Sequence, residues 1–264
     1  MKVAIIGVGN IGAAIAKGLS KGSFIKPEDI TCADHSGEAL DKIKQFNDRI
    51  RTAASNVEAV KGADIVVLAV KPWLIENVVS EIKQSLDYEN QLIVSIAAGI
   101  SFDTLATLLQ KSAEDMIPVM FRIIPNTAIE VGESMTFVVQ KYADKEQTDL
   151  ILRLFSEMGK TLLIEERLIT VVTALGSCGI AFAFRYIRAT MEAGIEMGLN
   201  ANQAKEIAMQ TLQGAVSLLA ATGNHPEAEI DKVTTPGGIT IKGINELEHR
   251  GFTSTVIEGY KACQ

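Results

Sequence analysis

Cysteine, histidine, proline and aromatic residues are all scarce in this sequence. Its 264 residues include three cysteines, three histidines, six prolines and one tryptophan. The cysteines, Cys32, Cys178 and Cys263, are too few and too widely spaced for a disulfide framework or a zinc site. We therefore expect no metal site, and we expect each cysteine to be a small buried apolar side chain.

Positive charge is also in short supply. Lysine and arginine number 25 against 32 aspartates and glutamates, which gives a net charge of −7. A protein that binds nucleic acid through its phosphates needs clustered Lys and Arg, so we expect no nucleic-acid partner. The composition is otherwise that of a folded globular protein, with 47% hydrophobic and 22% charged residues.

Long uninterrupted apolar runs are missing as well. The first run, Val3–Val8, is too short for a signal peptide and is not followed by a cleavage pattern. The longest, Leu168–Ile187, contains Gly176, Gly179 and Arg185, which favours a buried helix over a membrane span. From these patterns we expect a cytoplasmic protein with no membrane partner.

The first 165 residues alternate between strand and helix patterns. Apolar runs typical of buried strands fall at residues 2–7, 30–33, 64–70, 91–96, 119–124, 135–139 and 161–164. Helical patterns fall between them, at residues 11–21, 36–46, 73–86, 102–109 and 145–158. Strands that alternate with helices predict right-handed crossovers and a parallel sheet, so we expect an α/β domain over residues 1–165.

Beyond residue 165 the pattern becomes helical. Long helices are predicted at residues 168–197 and 201–221, with at least two shorter ones after them. Their apolar side chains exceed what about 100 residues can bury alone. We therefore expect residues 166–264 to form an all-helical domain whose excess apolar surface is covered by a second copy of the chain, in a homodimer or a higher homo-oligomer.

A glycine-rich loop joins the first predicted strand to the first predicted helix. Its sequence, Gly7-Val8-Gly9-Asn10-Ile11-Gly12, matches the G-x-G-x-x-G pattern of dinucleotide-binding domains. Gly7 permits the tight turn, Gly9 lets the backbone approach a pyrophosphate, and Gly12 lets the helix pack closely on the strand. The helix N-terminus offers N–H donors to the phosphates. The sequence therefore predicts a doubly wound Rossmann domain that binds NAD or NADP.

The end of the second predicted strand bears on which dinucleotide binds. Asp34 lies about 20 positions after Gly12, where an acidic residue accepts hydrogen bonds from the adenosine ribose. Such a carboxylate also repels a 2′-phosphate, and residues 34–37 contain no arginine to bind one. His35 and Ser36, however, can donate hydrogen bonds to a phosphate. The sequence leans towards NAD and leaves the preference for NADP or NAD open.

Two later strand ends belong to the same crevice. Ala69-Val70-Lys71-Pro72 follows the third predicted strand, and Ala97-Ala98-Gly99 follows the fourth. In a doubly wound sheet, ligands bind beyond the carboxyl ends of the strands. Lys71 either reaches the cofactor or points to solvent. The small Ala97 and Ala98 either let a flat nicotinamide ring approach the backbone or serve only the close packing of helix on strand.

A second glycine turn lies near the C-terminus. The segment Val233-Thr234-Thr235-Pro236-Gly237-Gly238-Ile239-Thr240 combines hydroxyls, free N–H groups and a helix N-terminus. That combination suits a small carboxylate ligand. The alternative is a helix-capping loop in which Thr240 belongs to the first helical turn.

Together, these motifs and three others resemble the pyrroline-5-carboxylate reductase family over almost the whole chain. The others are Ile124-Pro125-Asn126-Thr127 followed by Val131-Gly132-Glu133, Glu192-Ala193-Gly194, and Met197-Gly198-Leu199. The resemblance implies a Rossmann domain followed by a helical domain that builds an intertwined homodimer. It also implies the last step of proline biosynthesis, in which NAD(P)H reduces the cyclic imine 1-pyrroline-5-carboxylate to L-proline.

The resemblance further implies which residues form the site. Cofactor contacts are implied for Gly7, Gly9, Asn10, Ile11, Gly12, Asp34, His35, Asn56, Ala69, Val70, Lys71, Pro72, Ala97 and Ala98. Substrate contacts are implied for Asn126, Ser177, Gly237, Gly238, Ile239 and Thr240. In this scheme backbone N–H groups of residues 237–240 hold the substrate carboxylate. The Thr240 hydroxyl, the one catalytic side chain, hydrogen-bonds the ring nitrogen.

Several positions depart from the family pattern. Cys178 and Ile180 stand where the family reads Ser and Pro, and Ala221 stands where it often has a glutamate ahead of a His-Pro pair. Two alternatives therefore stay open: a related imine or hydroxyacid reductase, and a nucleotide-binding paralogue that has lost turnover. A hydroxyacid dehydrogenase needs a catalytic lysine on the first long helix after the Rossmann domain, and residues 175–197 contain none.

Overall fold

The computed structural model describes residues 1–112 and 116–263 of the chain. The chain divides into two compact units, Met1–Ser177 (the first unit) and Cys178–Gln264 (the second unit). The first compact unit thus ends later than residue 165. The domain boundary expected after residue 165 stays a prediction.

An eight-stranded sheet forms the centre of the first unit. Its strands are β1 Val3–Ile6, β2 Ile30–Ala33, β3 Arg51–Thr52, β4 Ile65–Leu68, β5 Leu92–Ser95, β6 Met120–Ile124, β7 Ser134–Lys141 and β8 Gly159–Leu163. Their order across the sheet is β3-β2-β1-β4-β5-β6-β7-β8. The chain reverses its direction of winding between β3 and β4, which makes the carboxyl end of β1 the switch point of a doubly wound sheet.

Helices cover both faces of this sheet. They are α1 Asn10–Lys21, α2 Gly37–Phe46, α3 Asn56–Val60, α4 Ile75–Ile82, α5 Phe102–Leu109, α6 Lys145–Ser156 and α7 Ile169–Val172. Side chains of α1, α2 and α6 belong to one hydrophobic cluster with Val3 and Ile5 of β1. Side chains of α3, α4 and α5 belong to a second cluster with Ala4 and Ile6. Because both faces of β1 are covered, its four residues are all apolar and all buried.

The sheet is parallel except at one pair of strands. β6 and β7 run antiparallel, so the predicted parallel sheet contains one antiparallel pair. Residues 125–133 join the two strands and contain only the 3₁₀ segment Thr127–Val131. A parallel crossover needs about a dozen residues or more, so this short connection returns the chain in the opposite direction. The two-residue β3 and the five-residue α3 were not predicted, because they are too short to show a period.

The second unit is helical, as expected. Its helices are α8 Gly179–Glu196, α9 Ala201–Thr222, α10 Pro226–Val233, α11 Ile239–His249 and α12 Phe252–Lys261. The long helix predicted at residues 168–197 is interrupted: residues Thr173–Cys178 form a π-helical turn ahead of α8. Within the unit, the Phe182 and Tyr260 rings pack edge to face with their centroids 4.8 Å apart, which joins α12 to the start of α8.

Large apolar side chains of the second unit are exposed in the single chain. They include Phe184, Ile195, Met197, Ile207, Met209, Val216, Leu218, Leu247, Val256 and Ile257. The apolar stretch Leu168–Ile187, expected to be a buried helix, is also mostly not buried, since nearly all of its residues are half-buried or exposed in the single chain. In the part of the chain that the structure describes, the helix Glu166–Glu196, which contains this stretch, is long and apolar enough to cross a membrane by length and composition alone.

Candidate functional site

The glycine loop, residues 7–12, has the close approaches that the sequence pattern requires. Gly7 adopts φ +93°, and a Cβ built on it lies 2.8 Å from the Ala69 carbonyl oxygen. A Cβ on Gly12 overlaps the Gly7 carbonyl oxygen and lies 3.0 Å from the Ala69 side chain. Both glycines are therefore required by backbone geometry, because a side chain at either position has no room.

Gly9 has different surroundings. A Cβ built on it meets no atom within 4 Å, so the loop leaves open space at this point. Gly9 is the N-cap of α1, and no side chain hydrogen-bonds to the helix end there. A cleft of about 790 Å³ borders Val8, Gly9 and Asn10. The first N–H groups of α1 therefore lack a side-chain acceptor at a point where the loop is open, and an anion can bind there.

Asp34 follows β2 and bonds to the backbone on two sides. Its Oδ2 accepts from the Val8 N–H at 2.7 Å, and its Oδ1 accepts from the Ser36 N–H at 2.8 Å. The Asp34 side chain is 9% exposed, whereas the neighbouring His35 side chain is 91% exposed. Ser36 caps α2, since its hydroxyl accepts from the Ala39 N–H. A ribose contact to Asp34 stays a prediction.

A smaller cleft of about 280 Å³ lies at the switch point of the sheet. Four predicted cofactor residues line it beside Gly7, namely Asp34, His35, Asn56 and Val70. Ile6 at the end of β1 also lines it, and three further lining residues, Leu74, Asn77 and Val78, were likewise not predicted from the sequence. They lie on the turn and helix after Pro72, where no motif marks them. A narrow cleft with apolar walls and two amide side chains suits a flat heteroaromatic ring.

The other predicted cofactor residues lie at the carboxyl ends of β4 and β5. Ala69 packs against the glycine loop, as its distance from the Gly12 position shows. Lys71 is exposed and precedes the 3₁₀ turn that Pro72 begins. Ala97 is buried and donates its N–H to the Ser95 hydroxyl, whereas Ala98 is exposed. Their contacts with a cofactor stay predictions.

Asn126 and Ser177 lie close together in the first unit. The Asn126 Nδ2 donates to the Gly176 carbonyl at 3.0 Å, while its Oδ1 accepts from the Ala128 N–H. The Ser177 hydroxyl donates to the Pro125 carbonyl at 3.1 Å. These two bonds join the loop after β6 to the π-helical turn at residues 173–178. Turns of this kind occur often at functional sites, because they redirect a few side chains within a helix.

The C-terminal glycine turn precedes α11 in the second unit. Gly237 adopts φ +72°, which favours glycine, and Gly238 is the N-cap with no side-chain hydrogen bond to the helix end. Thr240, the second residue of α11, is exposed and does not cap the helix. The turn therefore supplies the N-cap of α11 and Thr240 lies in the first helical turn, as in the capping alternative, but no hydroxyl caps the helix. The N–H groups at the start of α11 are not bonded to a side chain, and an anion can bind there.

The described histidine and cysteine side chains do not form a reactive or metal-binding site. The His225 Nδ1 accepts from the Glu227 N–H at the start of α10. Cys178 is half-buried and Cys263 is exposed, so the expectation of three buried cysteines is correct only for Cys32. Burial raises the pKa of the Cys32 thiol to about 12, which keeps it protonated and inert. Among the described residues, no group of three or more His, Cys, Asp or Glu side chains is placed to hold a metal ion.

Two family profiles match the chain. One, described as "NADP oxidoreductase coenzyme F420-dependent", matches residues 2–99. The other, described as "Pyrroline-5-carboxylate reductase dimerisation", matches residues 166–264. The first profile covers the glycine loop and the ends of β2, β4 and β5. The second covers the C-terminal glycine turn.

Curated relatives match nearly the full chain. Pyrroline-5-carboxylate reductase of Escherichia coli is 35% identical over 265 residues, which cover 99% of this chain and 95% of the relative. Reductase 1 of Dictyostelium discoideum is 37% identical over 269 residues, but the matched part is 47% of that longer protein. The chain thus spans about half of that relative and most of the bacterial one.

Solved structures of pyrroline-5-carboxylate reductases also align with nearly the whole chain. The pyrroline-5-carboxylate reductase of Coxiella burnetii aligns with a TM-score of 0.90 at 28% identity, covering 99% of this chain and 95% of that one. The Plasmodium falciparum pyrroline carboxylate reductase, solved with NADP bound, aligns with a TM-score of 0.86 at 26% identity, covering 100% and 95%. A 3-hydroxyisobutyrate dehydrogenase of Mycobacterium tuberculosis, at 16% identity and a TM-score of 0.52, shares the fold alone.

Proposed function

The chain belongs to the pyrroline-5-carboxylate reductase family, and we propose that it catalyses the NAD(P)H-dependent reduction of 1-pyrroline-5-carboxylate to L-proline. The observation that carries this proposal is the match to the bacterial reductase, 35% identical over 95% of its length. The geometry of the glycine loop supports it, because the open space at Gly9 and the crowded positions of Gly7 and Gly12 are what a bound pyrophosphate requires.

The residues present fit a dinucleotide. In this proposal N–H groups at Gly9, Asn10 and Ile11 bind the pyrophosphate, and the 280 Å³ cleft between His35 and Val70 holds the adenine. The exposed Ala98 and the small Ala97 leave space for the nicotinamide at the end of β5. When bound, the reduced nicotinamide supplies a hydride to the C=N carbon of the substrate.

The substrate carboxylate binds at the C-terminal glycine turn. The Gly238 N–H donates to the Thr235 carbonyl at 2.9 Å, which leaves the N–H groups of Ile239 and Thr240 at the start of α11, where the helix dipole favours a negative charge. The Thr240 hydroxyl then hydrogen-bonds the ring nitrogen. The substrate iminium is already protonated and electrophilic, so these residues mainly orient it. Orientation at near-attack distance contributes roughly 7–11 kcal/mol at best.

Asn126 and Ser177 contribute from the first unit. Their bonds to Gly176 and Pro125 fix the π-helical turn next to the loop after β6. A fixed turn presents its backbone and side chains to the substrate in one orientation, which is the condition for near-attack geometry. Of the departures from the family pattern, Cys178 is the last residue of this turn and Ile180 lies two residues beyond it, so a difference from the family in substrate choice or rate would arise at these positions.

Assembly and compartment complete the proposal. The exposed apolar side chains of α8 and α9 fit a homodimer, because residues 166–264 match a dimerisation profile. A second copy, rather than a lipid bilayer, then covers the apolar stretch Glu166–Glu196. We assign the protein to the cytoplasm and to a small-molecule substrate, with no nucleic-acid partner.

Complementation tests the function in a cell. A bacterium that lacks its own pyrroline-5-carboxylate reductase needs external proline, and expression of this chain is expected to restore growth without it. The Gly9→Val variant, which fills the open space at the phosphate site, is the matched control and is expected to fail. Absence of growth with wild-type protein that is expressed and soluble would refute the proposal, as would growth with both proteins.

A further inference from the structure

Asp34 occupies the position from which a carboxylate usually reaches the adenosine ribose. Here, however, each carboxylate oxygen accepts a short hydrogen bond from a backbone N–H. Oδ2 bonds to Val8 at 2.7 Å and Oδ1 bonds to Ser36 at 2.8 Å. The side chain is 9% exposed, so most of its surface faces the protein.

The bond from the Val8 N–H to Asp34 fixes the glycine loop to the end of β2. Val8 lies between Gly7 and Gly9, and its side chain is 4% exposed. The Gly7 N–H donates to the Ala33 carbonyl at 2.8 Å, so the hydrogen bonds between β1 and β2 continue into the loop. Asp34 adds the next bond in this series. The loop therefore has two successive ties to the end of β2, immediately before the glycine at which the pyrophosphate binds.

We propose that Asp34 is a positioning residue for the glycine loop, and that it supports binding of NADPH and NADH equally instead of selecting between them. This inference rests on the proposed function. The pyrophosphate is common to both cofactors, so an effect that passes through the loop is the same for both. The ribose contact that the sequence predicts would instead affect NADH and NADPH in opposite directions.

The physical reason for a large effect is the burial of the N–H group. A hydrogen bond to a charged acceptor is stronger than one between neutral groups, and a buried N–H left without an acceptor costs more than the bond itself contributed. A loop that loses this tie samples other conformations, and cofactor binding must then order it. The expected result is weaker binding with unchanged chemistry once the cofactor is bound.

Asp34→Asn is the main variant, with Asp64→Asn as its matched control. Asparagine keeps the shape of the side chain but has one acceptor oxygen, so one of the two N–H groups loses its partner. Asp64 makes the same kind of bond at the other end of β1, where its Oδ2 accepts from the Lys2 N–H at 2.6 Å. Both variants remove a carboxylate that bonds to β1 or its extension, but only one lies beside the glycine loop.

The readout does not depend on turnover. Trp73, the one tryptophan, adjoins Leu74 in the wall of the smaller cleft, so we expect quenching of its fluorescence on NADPH or NADH binding. We expect Asp34→Asn to raise both dissociation constants about tenfold and by the same factor within about twofold, and to leave kcat at saturating cofactor within about twofold. Asp64→Asn is expected to change neither constant.

Three outcomes would overturn the inference. The first is a change of more than about fivefold in the ratio of the NADPH and NADH dissociation constants, which indicates selection at the ribose. The second is unchanged binding of both cofactors with a lower melting temperature, which indicates a merely structural role. The third is equal weakening in the Asp64→Asn control. If Asp34→Asn does not fold, Asp34→Ser is used, since serine can still accept from the Ser36 N–H but cannot reach Val8.

Failure of the proposed function gives a different pattern. If the wild-type protein binds either dinucleotide but does not reduce the imine, the fluorescence comparison of the Asp34 variants still decides the positioning role. If the wild-type protein binds neither dinucleotide, both the proposed function and this inference are wrong.

Discussion

Gly9 and Gly12 have opposite surroundings although both belong to the glycine loop. A Cβ at Gly9 meets nothing within 4 Å, whereas a Cβ at Gly12 overlaps the Gly7 carbonyl. Gly9→Val is therefore expected to raise the cofactor dissociation constant about tenfold or more while the melting temperature stays unchanged. Trp73 fluorescence and thermal unfolding measure the two quantities on the same samples.

Gly12→Ala is the control variant for Gly9→Val. Its added methyl has no room, so the variant is expected to lose about 1–3 kcal/mol of unfolding free energy through overpacking. Unchanged cofactor binding in Gly9→Val would show that the pyrophosphate does not lie at the loop. Equal destabilisation of the two variants would show that the space at Gly9 is not open.

Thr240 is the residue on which the proposed chemistry depends most. It is exposed and does not cap α11, so its hydroxyl is free to bond to the substrate nitrogen as that atom gains a lone pair. A bond that strengthens along the reaction affects turnover more than binding. Thr240→Val is expected to lower kcat about five- to 150-fold with little change in melting temperature.

Thr253 provides the matched control for Thr240. It is likewise the second residue of its helix, α12, and its hydroxyl bonds to Glu248 within the second unit. Thr253→Val is expected to keep wild-type kcat. A Thr240→Val variant that loses stability but keeps its turnover would make Thr240 a structural residue.

At the scale of elements, the π-helical turn at residues 173–178 depends on the loop after β6. Asn126→Asp keeps the oxygen that accepts from Ala128 but replaces the donor to Gly176 with a second acceptor. We expect this variant to lose about 1–3 kcal/mol of unfolding free energy. We also expect a higher KM for the imine at unchanged cofactor affinity.

Ser177→Ala removes the other hydrogen bond between the turn and this loop, from the Ser177 hydroxyl to the Pro125 carbonyl. It is also expected to lower the unfolding free energy and to raise the KM for the imine. Steady-state kinetics with the imine varied, together with urea unfolding, provide the comparison. An increase in the cofactor dissociation constant with an unchanged imine KM would contradict the assignment of this turn to the substrate.

Helices and strands were predicted from the sequence where their apolar pattern was clear. The helix at Phe102–Leu109 and the strand at Ile30–Ala33 have the predicted bounds. The antiparallel β7 was not foreseen, because strand direction depends on the length and path of the connection and not on apolar pattern. The same limit applies to the smaller cleft, because Asn77 and Val78 of α4 line it together with Gly7, which is distant in the sequence. No local motif marks such residues.

At the scale of the whole molecule, the second unit exposes more apolar surface than a stable monomer does. Met197 and Val216, for example, are 79% and 63% exposed in the single chain. Sedimentation at micromolar concentration is expected to give at least twice the chain mass of 28.4 kDa. A stable monomer that still turns over the imine would show that one chain suffices for the site and would remove the dimer from the proposal.

Product formation tests the central claim most directly. Purified protein is incubated with 1-pyrroline-5-carboxylate and either NADPH or NADH, and cofactor oxidation and L-proline are measured in the same samples. The expected result is one L-proline formed per NAD(P)H oxidised, with the rate strongly reduced in Thr240→Val and unchanged in Thr253→Val. A protein that binds the dinucleotide by Trp73 fluorescence but forms no L-proline above the uncatalysed rate would contradict the account.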